Sequence, residues 1–85
     1  MTLHTTPIAT VEGDHALVKV KINGLLHLSF VRNDLLSVQA WHVDGSLWQI
    51  EYVSKAGVKV RTDYTSRELW ASILEGLDKL AIALE

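Results

Sequence analysis

Eighty-five residues, 48% hydrophobic and 21% charged, make one folded domain rather than a disordered or multidomain chain. The absence of cysteine excludes disulfides, thiolate zinc sites and cysteine nucleophiles, and it fits a reducing compartment. A formal charge of −2 lacks the basic excess of a strongly electrostatic nucleic-acid binder, and no apolar run approaches the ~20 residues of a membrane span.

Met1 to Asp14 is threonine-rich, holds the single proline and reads as an extended N-terminal arm, with room for a short edge strand around Ile8 to Val11. It lacks the basic-then-apolar order of a secretory signal, so the chain reads as cytoplasmic. Residues 15–85 read as one domain. Ala16, Val18, Val20 and Ile22 alternate with polar residues on a first strand. Leu26, Leu28 and Phe30 make a second, ended by Arg32-Asn33-Asp34. Leu36, Val38 and Ala40 make a third, Trp48, Ile50 and Tyr52 a fourth, and Val58, Val60, Thr62 and Tyr64 a fifth.

The core candidates on all five strands are even-numbered. A two-residue hairpin would oppose even to odd, whereas a three-residue loop keeps even opposite even. Glycine often closes three-residue loops in the left-handed conformation. The parity therefore predicts three-residue loops at Ile22-Asn23-Gly24, Val43-Asp44-Gly45 and Lys55-Ala56-Gly57. In that register Trp41 stands directly opposite Leu47.

Thr65 to Leu84 carries the one strong helical pattern. At 100° per residue, Leu69, Trp70, Ile73, Leu74, Leu77, Leu80, Ala81 and Leu84 fall within an arc of about 140°, with Ile82 an apolar outlier. Thr65 and Glu68 have capping-box spacing. Gly76 costs about 1 kcal/mol relative to alanine in a helix and would allow close approach of the sheet. The expected fold is α+β: a five-stranded antiparallel meander, open or curled, packed on its even face by a single C-terminal helix.

One helix covers one face, so the odd face is where function is expected. It mixes polar residues with Leu17, Leu25, Val31, Leu35, Trp41, Val43, Leu47 and Val53. An apolar strip that includes tryptophan points to a partner or dimer surface, with Leu35, Trp41, Leu47 and Val53 as the binding residues. In a curled sheet, Lys19 and Lys21 would approach Lys59 and Arg61 and could track phosphates beside Trp41 or His27. The histidines, His4, His15, His27 and His42, lack metal-site spacing, and no nucleophile elbow or glycine-rich phosphate loop is present. The reading is a non-enzyme without cofactor or metal.

The run Gly57-Val58-Lys59-Val60, then Thr65-Ser66-Arg67-Glu68-Leu69-Trp70, then Ile73, Leu74 and Leu77, resembles the strand–turn–helix ending of the positive-cofactor-four transcriptional coactivators. With Whirly and Pur-type modules, those proteins share an antiparallel sheet followed by a helix. The likeness covers about a third of the chain. It implies dimerisation and binding of single-stranded nucleic acid, with Lys59, Arg61 and Trp70 as contact residues; the family's lysine-rich turns have no counterpart here. The sequence thus leads to a small binding or adaptor protein that self-associates or engages a protein partner through the uncovered sheet face. Single-stranded nucleic-acid binding is the alternative.

Overall fold

The computed structural model describes residues 9–13 and 16–82. His4, His15, the Ile8 start of the expected edge strand and the Leu84 end of the expected helix lie outside them. Among these residues six strands, β1 (Ala9–Gly13), β2 (Leu17–Ile22), β3 (Leu25–Val31), β4 (Leu35–Asp44), β5 (Leu47–Ser54) and β6 (Lys59–Tyr64), precede one helix, α1 (Arg67–Lys79). The class is α+β and every strand pair is antiparallel.

The strands do not form the single five-stranded sheet expected. They divide into two three-stranded sheets, β1-β2-β3 and β4-β5-β6. The cause lies at Arg32–Asp34, a single 3-10 turn between β3 and β4. Its first amide, Arg32 N–H, still donates to Ala16 O in the first sheet (2.8 Å). Its last carbonyl, Asp34 O, already accepts from Lys55 N–H of the second (2.7 Å). The turn therefore passes the chain from one sheet to the other, and β4 begins a new ladder instead of extending the old one.

Even-numbered residues of β2, β4, β5 and β6 supply the core: Val18, Val20, Val38, Ile50, Tyr52 and Tyr64 are buried. Two of the three loops reach this parity by a route other than the one expected. Asn23 and Gly24 form a two-residue turn with φ of 52° and 80°, both positive as a type I′ hairpin requires. Lys21 then opposes Leu26, odd to even, until one extra residue at His27 restores Val20 opposite Leu28. Gly45 and Ser46 likewise close a two-residue turn, and the extra residue Val43 returns His42 to its place opposite Trp48. Lys55-Ala56-Gly57 is the three-residue loop expected, with Ser54 N–H bonded to Val58 O (2.9 Å) and Gly57 at φ 85°.

These irregularities relocate side chains. Leu26 shares the outer face with Lys21 and is 59% exposed. A shift between Leu35 and Ser37 leaves Leu36 63% exposed and packs Leu35 against the core.

The helix starts one residue later than expected. Ser66, not Thr65, is its N-cap, and Ser66 Oγ accepts from Leu69 N–H (3.2 Å). Glu68 therefore falls one position short of a capping box. Ile73 and Leu77 are buried, and Leu69, Trp70, Leu74 and Leu80 pack around them. The helix also stops early. Ala81 takes φ 58°, Ile82 N–H reaches back to Leu77 O (3.1 Å) and Ala81 N–H to Asp78 O (2.9 Å), a Schellman ending. That reversal brings Ile82, the outlier of the helical arc, into the core beside Leu77. The Arg32 guanidinium donates to Leu80 O and satisfies another terminal carbonyl. The helix packs most closely on β1 and also touches β5 and β6, so it spans both sheets instead of covering one.

Candidate functional site between two strand edges

Among the described residues β3 and β6 are each paired on one side only. Their unpaired sides meet across a seam, and side chains join them at one end. His27 Nε2 lies 2.8 Å from the Tyr64 hydroxyl, with the rings edge-on at 5.6 Å. Burial lowers the pKa of His27. Burial first, then the nearby Asp63 carboxylate, raises that of Tyr64, against a lowering hydrogen bond with Thr62. A neutral imidazole can accept the Tyr64 O–H, and these shifts keep both groups neutral.

Away from this bridge the seam opens into a groove of about 320 Å³. Ser29, Phe30 and Val31 of β3 and Val58 and Val60 near β6 line it, with Asp34, Leu35, Tyr52 and Ser54. Phe30 and Tyr52 meet across the two sheets, their ring centroids 5.6 Å apart. Val60 opposes Tyr52 on the inward face of β6, a core position by parity, yet it is 49% exposed; Val58 is 61% exposed. Nothing among the described residues closes the core here.

Backbone alternation determines what the edges present. Arg32 N–H bonds to Ala16 O, so Arg32, Phe30 and Leu28 direct their polar groups toward β2. Ser29 and Val31 direct theirs to the open edge. Ser54 N–H bonds to Val58 O, so Lys59, Arg61 and Asp63 do the same on β6. The groove thus has apolar walls and a row of strand donors and acceptors along each rim. One polar atom inside is unsatisfied: the Tyr52 hydroxyl is buried without a hydrogen-bond partner among the described residues. Burial, and then proximity to Tyr64, raises its pKa, so the hydroxyl stays a neutral donor.

The site residues expected from sequence are placed differently from one another. Trp41, Leu47 and Val53 are half-buried on β4 and β5, whereas Leu35 has turned inward. Trp41 stands opposite Gln49, and Leu47 opposite Asp44, so the direct Trp41–Leu47 pairing is not formed. The reason is the turn, which closes at Gly45-Ser46 rather than at Val43-Asp44-Gly45 and so carries Leu47 back toward Asp44. Between Trp41 and Val53 runs a polar row, Gln39, Glu51 and Arg61. Arg61 donates to Glu51 Oε2 (2.9 Å) and lies 5.3 Å from the Trp41 ring centre. The Trp41 indole N–H donates to Gln49 Oε1 (2.9 Å), and Gln49 Nε2 donates to Asp63 Oδ1 (2.8 Å). Glu51 is 8% exposed beneath this network. The strip is therefore interrupted by mutually satisfied polar groups.

The basic residues are divided as well. Lys19 and Lys21 lie on the first sheet, Lys59 and Arg61 on the second. Lys21 pairs with Glu12 (3.1 Å) and Arg61 with Glu51. Trp70 donates its indole N–H to Gln49 O (3.1 Å). His42 stacks on Trp48 at 4.8 Å and bonds through Nε2 to Gly45 O (3.0 Å). Among the described residues no group of three His, Asp or Glu side chains could hold a metal ion, and no helix is long and apolar enough to cross a membrane.

Sequence reasoning assigned Phe30, Val58 and Val60 to a closed core. The available signal was β3 itself: Leu-Leu-His-Leu-Ser-Phe-Val has no Lys, Arg, Asp or Glu. No family model, curated protein or solved structure matches the chain.

Proposed function

We propose that this chain is a small, non-catalytic binding protein that takes an extended, apolar polypeptide segment into the β3–β6 seam by strand addition. One observation carries the reading: two unpaired strand edges flank an apolar groove that includes core-facing valines. Main-chain groups along the rims supply affinity, and alternate side chains of the incoming strand enter the groove. Covering Val31, Val58 and Val60 is worth about 1 kcal/mol each, half of a full aliphatic burial.

The test is selection of binders from a random decapeptide library, followed by NMR mapping on the chain. The expected result is shifts at the Ser29, Val31, Lys59 and Arg61 amides, and binding lost on Val60→Glu. Shifts centred on Gln39, Trp41 and Gln49 would return the site to the outer face of the second sheet. Binding of a single-stranded oligonucleotide that weakens steeply from low to high salt, with no peptide bound, would replace the reading by nucleic-acid recognition.

A further inference from the structure

We propose that the strand added at this seam is β3 of a second copy of the same chain, paired antiparallel across a two-fold axis at Ser29. The inference rests on the strand-addition reading and names its partner.

Among the described residues four strands have an unpaired side, and three of them carry charge or some cover. β1 carries Glu12 and lies under the helix, with Gly76 packed on Val11. β4 has Val38 at its middle with no exposed surface. β6 carries the exposed charged residues Lys59, Arg61 and Asp63, and charges on an edge strand discourage edge pairing. β3 has neither device. Leu25–Val31 holds no lysine, arginine, aspartate or glutamate, and none of its residues is fully buried. Two copies laid antiparallel along β3 therefore bring no like charges together.

Ser29 and Val31 point their backbone groups outward, and in an antiparallel pair only outward-pointing residues can exchange hydrogen bonds. An axis at Ser29 places Ser29 opposite the partner's Ser29. On the inward face it sets Leu28 opposite the partner's Phe30, and the reciprocal pair follows by symmetry. Both are large apolar pairs of the kind that stabilise a ladder. An axis at Val31 would run most of each strand past the end of the other. Val31, 50% exposed, would stand opposite the partner's His27, while Leu25 and Leu26, 75% and 59% exposed, would extend past the end of the partner's strand beside its Arg32–Asp34 turn. The sheet would then continue through six strands, β1-β2-β3 and their symmetry mates, with both apolar seams covered.

The chain has no cysteine, so Ser29→Cys introduces a single thiol. Facing Cα atoms in a hydrogen-bonded antiparallel pair are ~5.5 Å apart, within reach of a short bismaleimide. Ser46→Cys, on the exposed turn between β4 and β5, is the control. The expected result is a dimer by light scattering, Ser29→Cys crosslinking at least about tenfold faster than Ser46→Cys, and, for Ser29→Lys, a monomer by light scattering that circular dichroism shows to be folded. A chain that stays monomeric to millimolar concentration overturns the proposal, as does equal crosslinking at the two sites. Peptide-induced shifts at Ser29 and Val31 in such a monomer would leave strand addition standing with another partner; loss of both signals removes both readings.

Discussion

Ala81 holds a left-handed backbone without being glycine. A side chain there costs about 1–2 kcal/mol, part of which glycine returns through its greater freedom in the unfolded chain. Ala81→Gly keeps the bonds from Ala81 to Asp78 and from Ile82 to Leu77. It is expected to stabilise the protein by about 0.5–1 kcal/mol, read as a higher urea midpoint with unchanged slope. His27 gives a second residue-level expectation. Burial lowers its pKa in the folded state, so the unfolded chain takes up a proton first, at its ordinary value of about 6.5. The stability tied to neutral His27 is complete above that value and is lost as pH falls through the lower folded one. His27→Gln keeps a polar partner for Tyr64 and does not titrate. Urea midpoints between pH 7.5 and 5 should fall less steeply for His27→Gln than for the natural chain; equal slopes would show that this ring contributes nothing.

At the level of elements, alternation was enough to place Val18, Val20, Val38, Ile50, Tyr52 and Tyr64 inside, because burial imposes a period of two on every half-covered strand. The loops were less legible. A three-residue loop and a two-residue loop followed by a bulge return the chain to the same parity, so the core pattern cannot separate them. Asn23-Gly24 took the local turn preference, and His27 absorbed the mismatch. Leu35 and Leu36 exchanged faces for the same kind of reason. The packing of α1 on β1 has a sharper consequence. A Cβ on Gly76 would lie 2.5 Å from Val11 Cγ2 and 2.8 Å from Val11 Cβ. Gly76→Ala gains about 1 kcal/mol of helix propensity but forces helix and strand apart, a change that costs about 1–3 kcal/mol. The net expectation is destabilisation by about 1 kcal/mol. Val11→Ala should convert it into a gain, so a double-mutant cycle should show coupling of at least about 1 kcal/mol. Additive effects would mean that the helix does not rest on β1 through this contact.

At the scale of the whole molecule, the candidate site follows from how six strands are divided. A single sheet has one inward face, and one helix can cover it. Two three-stranded sheets have four outer strands, and α1, which packs mainly on β1 and touches β5 and β6, does not reach β3 as a cover. The β3–β6 side is left with inward-facing valines in contact with solvent. No strand pattern announces this division, because it depends on which amide the last carbonyl of the Arg32–Asp34 turn accepts from, here Lys55 N–H of the second sheet. Hydrogen exchange reads the result directly. In a dilute solution the outward-pointing amides of Ser29, Val31, Lys59, Arg61 and Asp63 should exchange as unpaired edges, while those of Phe30, Val60 and Thr62 are protected within their ladders. Raising the protein concentration should then protect Ser29 and Val31 if β3 pairs with its own copy, since only the associated form gives those amides an acceptor. The amides of Lys59, Arg61 and Asp63 should stay open, because the two-fold pairing adds a strand to β3 and none to β6. Protection rising first on β6, or on Gln39 and Trp41 of the outer face, would place association elsewhere on the molecule and count against the β3 edge.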